Sequence, residues 1–217
     1  MNNNIINITL PDGSVKQFSE SVTAMDIAKS ISEGLARNVL SATVNGEVWD
    51  ANRLITQDST IKLNTWNDRE GKETFWHTSA HLLASAISEL YPNAKFGIGP
   101  DIENGFYYDI DFGENQITPE DFSKIEEKMQ ELVKAGTKII RKDISKADAI
   151  KMFSEQGEAY KVELINELED GTITIYESGS FTDLCRGPHI PDFSPIKSIK
   201  ILSLALTILL IIPTTKL

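Results

Sequence analysis

The segment NIINITLPDGSVKQF, residues 4–18, decides the fold of the first part of the chain. Apolar and polar residues alternate over 4–10, which is typical of a half-buried β-strand. Residues 11–13, Pro-Asp-Gly, are the types that a tight turn needs, and 14–18 predict the returning strand. The chain is therefore expected to begin with a β-hairpin.

A helix is predicted after this hairpin. Thr23 and Asp26 have the spacing of a capping box, in which each side chain bonds the backbone N–H of the other residue. Apolar residues then recur at helical spacing and can be buried along one stripe. These residues are Met25, Ile27, Ala28, Ile31 and Leu35.

A second hairpin and a last strand complete the first unit. Asn45-Gly46 is the pair preferred in a type I′ turn, and it lies between two strand-like segments within 40–49. Another strand is predicted over 59–66. The order of a hairpin, a helix, a second hairpin and a last strand predicts a small β-grasp, ubiquitin-like domain over residues 1–66, and the polar segment 67–73 predicts a linker.

Composition is that of a soluble protein with two small domains. The chain has 217 residues, of which 41% are hydrophobic and 24% are charged, and domains usually have about 100–200 residues. Its single cysteine excludes an internal disulfide framework. The N-terminus has no basic segment followed by a long apolar stretch, so we expect no signal peptide and a cytoplasmic location.

The net charge of −11 argues against simple electrostatic binding to nucleic acid. Such binding uses Lys and Arg to neutralise phosphates. Any interaction with RNA must therefore use a local patch or a partner domain.

The second part of the chain predicts an α+β domain over residues 74–200. A helix over 74–91 ends before Pro92, and the glycine- and aromatic-rich segment 95–112 predicts two strands. Further helices and strands follow, although residues 160–168, YKVELINEL, are ambiguous between helix and strand.

His77 and His81 are four residues apart in the predicted helix, so their side chains lie on one face. That face otherwise carries small residues, which leaves room for a ligand beside the rings. The small residues are Ala84, Ser85 and Ser88, and the opposite face carries Leu83, Ala86, Ile87 and Leu90.

Cys185 and His189 repeat the spacing of four, and Gly187-Pro188 between them predicts a turn that could make the two side chains converge. Together with the histidine pair they allow a zinc site, since zinc takes sulfur and nitrogen ligands. They equally allow hydrolysis, with histidines handling a water and its protons. A cysteine nucleophile and a structural buried thiol are further alternatives, and the spacing does not separate them.

Four segments resemble, in order and spacing, the N-terminal half of the bacterial threonyl-tRNA synthetase family. They are HTSAHLL at 77–83, GIGPDIENGFYYDID at 97–111, YKVEL at 160–164 and FTDLCRGPHIP at 181–191. By this resemblance the β-grasp unit is a TGS domain, and residues from about 70 to 200 form the editing domain of that family.

The resemblance implies hydrolysis of serine wrongly attached to threonine tRNA. The matching site residues are His77, His81, Lys161, Asp183, Cys185 and His189. Our hypothesis for the roles is that Lys161 and a histidine, His77 above all, hold the water and the ribose hydroxyl. Asp183 recognises the serine amine or orients a neighbour, and Cys185 and His189 shape the pocket and assist the leaving group.

Other expectations also follow from the resemblance. The expected partner is threonine tRNA with a serylated 3′ end, and no membrane is involved. No cofactor or metal is expected, because ATP, magnesium and zinc belong to the catalytic core of the family. Zinc at His77, His81, Cys185 and His189 is the alternative. Parent proteins are dimeric largely through that core, which leaves a monomer open for this chain.

The sequence departs from the family pattern near residue 205. The family continues there towards a class II catalytic core, whereas residues 201–217 form an apolar tail that we interpret as aberrant. We therefore expect editing without ATP-dependent aminoacylation. The alternatives are a non-catalytic, TGS-type RNA-binding or regulatory module and a zinc-stabilised domain.

Overall fold

A computed structural model describes residues 5–103 and 105–205 of the chain. Its first unit contains the two predicted hairpins, helix and last strand, together with two further short strands and a second helix that were not predicted. The elements are β1 (Ile6–Thr9), β2 (Val15–Phe18), β3 (Val22–Thr23), α1 (Ala24–Ile31), α2 (Glu33–Ala36), β4 (Ser41–Val44), β5 (Glu47–Asp50), β6 (Leu54–Ile55) and β7 (Ser59–Asn64).

Five of these strands form one mixed sheet in the order β2-β1-β7-β4-β5. The central pair β1–β7 is parallel and its neighbours are antiparallel, as a β-grasp requires. Thr23 and Asp26 form the predicted capping box at the start of α1. This helix buries Ile27 and Ala28 against the sheet, and the predicted fold class is confirmed.

The predicted linker over 67–73 is largely helical, which corrects that prediction. Helix α3 (Arg69–Leu90) begins five residues earlier than expected. Asp68 precedes it and accepts hydrogen bonds from the backbone and hydroxyl of Thr65, which holds the chain at the end of β7. Gly71 lies so close to the Thr65 carbonyl that a Cβ would collide with it. The polar residues of this segment therefore belong to an exposed first turn.

The second unit combines four helices with short strands. After α3 come β8 (Lys95–Phe96), β9 (Asp101–Ile102), β10 (Gly105–Phe106), β11 (Ile110–Asp111), α4 (Phe122–Ala135), β12 (Ile139–Ser145), α5 (Lys146–Glu155), α6 (Ala159–Glu167), β13 (Thr172–Ser178) and β14 (Phe181–Leu184). Segment 95–112 thus forms two pairs of very short strands rather than two longer ones, and residue 104 lies outside the described part.

Strands β12, β13 and β14 form an antiparallel sheet in that order. Asp183 lies on β14, directly before the segment that contains Cys185 and His189. Helices α5 and α6 pack over the sheet through a small core that includes Phe153, Ile165 and Ile175. The ambiguous segment 160–168 is mostly helical. Lys161 and Ile165 are four residues apart and form the buried face of this helix. This arrangement places Lys161 beside strand β14.

The end of the chain is described only in part. Leu202 and Leu204 are exposed, and the expected apolar tail from residue 206 onward lies outside the described residues. Within the described ranges, the model contains no helix whose length and hydropathy would let it cross a bilayer.

Candidate functional site

Helix α3 brings His77 and His81 to the centre of the second unit. Residues 78–82 and 84–87 of this helix are buried on every side, and they include the polar residues Thr78, Ser79 and Ser85. The sequence predicted room for a ligand beside the histidines. In the structure, the small residues there do not leave an open surface. Instead the Ser85 hydroxyl lies 2.7 Å from the hydroxyl of Ser178 on β13.

Residues 185–189 form a tight turn after β14. Gly187 has a φ of +71°, a conformation that only glycine adopts readily, and a Cβ there would collide with the Tyr176 hydroxyl. The Gly187 N–H donates to the Cys185 sulfur at 3.2 Å. The predicted turn at Gly187-Pro188 is present, and it directs Cys185 and His189 towards α3.

The turn and the helix meet in a cluster of three imidazoles and one thiol. Cys185 Sγ lies 3.3 Å from His77 Nε2 and 3.3 Å from His189 Nε2. The ring centroids of His81 and His189 are 4.1 Å apart. Residues more than 100 positions apart in sequence thus share one small volume.

Thr78 determines which nitrogen of His189 carries the proton. When its hydroxyl donates to the Thr74 carbonyl at 2.8 Å, it accepts from His189 Nδ1, which lies 3.2 Å away. Since a neutral imidazole has one N–H, His189 Nε2 is left with a free lone pair. That lone pair points at the Cys185 sulfur.

Asp183 connects this cluster to the buried lysine. Its Oδ1 lies 2.9 Å from Lys161 Nζ, and its Oδ2 accepts from the Tyr108 hydroxyl at 2.8 Å. The same Oδ2 is 3.5 Å from His81 Nε2. The ion pair with Lys161 is not aligned as a hydrogen bond, and the Lys161 ammonium has no such partner among the described residues.

Burial keeps the histidines neutral at physiological pH. It lowers the pKa of His81 to about 4, with repulsion from His77 and Lys161 acting in the same direction against the attraction of Asp183. Burial also lowers the pKa values of His77 and His189. These are imidazoles able to accept a proton.

The carboxyl and thiol groups are shifted in opposite directions. Burial alone would raise the pKa of Asp183, but the positive charge of Lys161 and the hydrogen bond from Tyr108 outweigh it and lower that pKa. Burial raises the pKa of Cys185 far above its ordinary value. A protonated thiol is a poor nucleophile, so this raised pKa disfavours cysteine catalysis.

Comparison with known proteins identifies both units. The TGS domain matches residues 6–65, and the Threonyl and Alanyl tRNA synthetase second additional domain matches residues 173–205. The threonine–tRNA ligase of Cytophaga hutchinsonii is 59% identical over 201 residues, which are 93% of this chain and 31% of that protein. The Parabacteroides distasonis threonine–tRNA ligase is 62% identical over the same shares. The chain is similar to the N-terminal region of these threonine–tRNA ligases. It spans 31% of the length of these curated relatives.

The six residues singled out from the sequence lie in one continuous cluster. His77, Cys185 and His189 are in direct contact, and His81 links them to Asp183 and Lys161. The match to the second additional domain begins at residue 173. It therefore covers Asp183, Cys185 and His189 of this cluster.

A cleft of about 200 Å³ lies beside this cluster. His77 is the only one of the six residues that lines it. Its other walls come from both units, namely Val48, Glu70, Glu73, Thr74, Asp101, Gly187 and Pro188. The three acidic residues make the cleft favourable for a cation and unfavourable for phosphate.

Sequence reasoning missed Thr78 and Tyr108 as parts of the site. Both lie inside segments that carry the resemblance to threonyl-tRNA synthetases, so their position was a usable signal. A hydroxyl at Thr78 is adjacent to His77, and Tyr108 is in the aromatic segment at 105–108. Only the packing reveals that Thr78 contacts His189 and Tyr108 contacts Asp183.

The cluster also has the composition of a zinc site. His77, His81, Cys185 and His189 offer four donor atoms within 4.8 Å of one another. Zinc takes such ligands tetrahedrally and is tightened by groups that orient the histidines, as Thr78 orients His189. These residues could hold zinc, which would act as a Lewis acid. Against this, Asp183 holds the cationic Lys161 beside His81, and that charge repels a divalent ion.

Proposed function

We propose that this chain hydrolyses the ester between serine and the terminal adenosine of threonine tRNA. The observation that carries the proposal is the convergence of His77, His81, Lys161, Asp183, Cys185 and His189 in one buried cluster. This cluster lies in a chain similar to the N-terminal region of threonine–tRNA ligases. Hydrolysis of a mischarged ester is a reaction that this arrangement of side chains can support.

The need for such a reaction follows from the size of serine. Serine lacks one methyl group of threonine, and a methylene-sized difference gives only about 1–3 kcal/mol of discrimination in a binding pocket. A synthetase that must reject the smaller amino acid more strongly therefore uses a second, hydrolytic site. A small site lined by polar side chains suits this substrate.

His77 is the residue that we assign to the water. It lines the cleft, and burial keeps its imidazole neutral and able to accept a proton. The water oxygen attacks the ester carbonyl carbon, and the bond from that carbon to the ribose oxygen breaks. The proton lost by the water ends on the ribose oxygen, so the products are free serine and uncharged tRNA.

Lys161 is assigned to the oxygen atoms of the substrate. Its ammonium is 3% exposed and is held at 2.9 Å from Asp183 without an aligned hydrogen bond. Its N–H groups are thus available to the ribose hydroxyl or to the negative charge that develops on the ester. Of the two roles expected for Asp183, orientation of its neighbours fits better, because Lys161, His81 and Tyr108 already occupy its oxygens.

Cys185 and His189 lie behind His77 and support its position at the cleft. The protonated thiol bridges His77 and His189, and Thr78 fixes the proton of His189 on the far nitrogen. The lone pair of His189 Nε2 therefore faces the Cys185 thiol, and a proton relay through this thiol and His77 can assist the departing ribose oxygen.

Binding of tRNA to this chain alone is expected to be weak. Its net charge is −11, and phosphate recognition relies on positive charge. The assay must therefore use enzyme in large excess over serylated tRNA.

The test is single-turnover deacylation of serylated threonine tRNA by three variants. His77→Ala and Lys161→Met should each reduce the rate by at least about 100-fold, the usual size of a lost general base or charge stabiliser. Lys142→Met is the matched control, because Lys142 pairs with Glu177 on the exposed side of the same sheet. Circular dichroism verifies that each variant is folded. Wild-type rates in both site variants would contradict the assigned roles.

A further inference from the structure

The carboxylate of Asp50 reaches from the first unit into the second. Asp50 ends β5, which is the edge strand of the β-grasp sheet. Its Oδ1 accepts the backbone N–H of His189 at 2.6 Å, and its Oδ2 accepts the Tyr176 hydroxyl at 2.8 Å. Arg141 Nε lies 4.0 Å from the same Oδ2.

Both of these hydrogen bonds act on the turn that carries the site. The first fixes the backbone of His189 itself. The second fixes Tyr176, whose ring lies 4.5 Å from the His189 ring at an angle of 65° and whose hydroxyl packs over Gly187. A single carboxylate therefore restrains the main chain of His189 and the aromatic ring packed against its side chain.

The surroundings of Asp50 fit a positioning function. Its side chain is 13% exposed, and hydrogen bonds to an ionised acceptor in such an environment are stronger than neutral ones. The neighbouring Val48 lines the cleft at His77. Strand β5 thus contributes to the wall of the cleft and holds the opposite side of the cysteine–histidine cluster.

We propose that Asp50 is a positioning residue for the hydrolytic site, which makes the β-grasp unit a structural part of that site. This inference rests on the proposed function. Asp50 touches neither substrate nor reacting atoms and acts through His189 and, beyond it, Cys185. Without its two hydrogen bonds, the turn 185–189 loses its fixed distance from His77 on α3.

The first test separates positioning from general stability. In Asp50→Ala, the single-turnover rate of seryl-tRNA deacylation at saturating enzyme should fall at least about tenfold, since a misplacement of about 1 Å can cost up to about 100-fold. The enzyme concentration at half-maximal rate should change less than about twofold, because Asp50 does not contact tRNA in this account. Asp50→Asn should recover most of the rate, because an amide oxygen can still accept from the His189 N–H.

Asp58→Ala is the matched control for this test. Asp58 is another carboxylate of the first unit, and it accepts the backbone and side-chain N–H groups of Asn7. It therefore loses two hydrogen bonds within the β-grasp unit and none to the second unit. Equal losses of rate in Asp58→Ala and Asp50→Ala, or no rescue in Asp50→Asn, would overturn the positioning function.

A second readout does not depend on the proposed reaction. Cys185 is the single cysteine of the chain, so iodoacetamide labels one site. Release of the 185–189 turn should raise its alkylation rate at least about threefold in Asp50→Ala and leave it unchanged in Asp58→Ala. An inactive wild-type chain would overturn the proposed hydrolysis. The alkylation rates would then still test whether Asp50 positions the 185–189 turn. Equal alkylation rates in both variants and in the wild type would overturn this positioning function.

Discussion

Replacement of Asp183 by asparagine should leave a buried lysine without its main counter-ion. Lys161 is 3% exposed and lies 2.9 Å from Asp183. Among the described residues, the other carboxylate within ion-pair range is that of Glu158, at 4.0 Å. Asparagine keeps the shape of the side chain and can still accept from Tyr108, so the variant removes charge and little else.

The expected loss of stability is large. Removing one partner of a buried ion pair costs about 3–5 kcal/mol, because the other charge is left uncompensated. Glu158 offsets part of this cost, so we expect a loss of about 3 kcal/mol, at the lower end of that range. Small domains unfold with about 5–15 kcal/mol. With a urea m-value of about 1–3 kcal/mol per molar, the unfolding midpoint should fall by about 1–3 M.

Urea unfolding followed by tryptophan fluorescence measures this loss. Trp76 precedes His77 on α3 and packs edge-on against Trp66, so the signal reports on the site region. Urea is preferred to guanidinium because it is uncharged and does not screen ion pairs.

A double-mutant cycle supplies the control. The pair Lys161→Met and Asp183→Asn removes both charges, so the double variant should be more stable than Asp183→Asn alone by at least about 1 kcal/mol. The reasoning is refuted if Asp183→Asn unfolds within about 0.5 kcal/mol of the wild type, or if the two single losses simply add.

Three further predictions concern the cysteine–histidine cluster. Thr78→Val removes the group that accepts from His189 Nδ1. It should slow seryl-tRNA deacylation about tenfold, with the largest deficit at saturating enzyme, and an unchanged rate would contradict the assigned tautomer. Because the pKa of His81 is lowered from 6.5 to about 4 in the folded chain, the unfolded chain takes up a proton there that the folded chain does not. Stability should therefore fall as the pH drops through this window, by up to about 1.4 kcal/mol per pH unit. The urea midpoint of His81→Gln should depend less on pH, and an equal dependence would contradict the shift. Treatment with 1,10-phenanthroline should leave deacylation unchanged, since Lys161 disfavours a divalent ion, and stoichiometric zinc in the purified protein together with loss of activity would contradict this.

Local sequence signals were sufficient for most of the fold. The Asn45-Gly46 turn and the capping box at Thr23 act over a few residues, so the β-grasp order could be predicted from them. The linker prediction was wrong because polarity was taken to indicate a loop. In the structure, β7 ends at Asn64 and α3 begins at Arg69. The hydrogen bond from the Thr65 N–H to Asp68 holds the short connection between them.

The site could be predicted only as a set of residues. Equal spacing of the pairs His77/His81 and Cys185/His189, together with the resemblance, led to the cluster that the fold brings together. The contact from Asp50 to His189 spans 139 positions and has no sequence pattern. Such contacts depend on how two units pack, which periodicity does not encode.

The most direct measurement is the release of radiolabelled serine from serylated threonine tRNA by an excess of the unaltered chain. Serine release should be well above the spontaneous rate, and release of threonine from correctly charged tRNA should be much slower. Serine release at the spontaneous rate by a chain shown to be folded, at concentrations that saturate tRNA binding, would contradict the central claim.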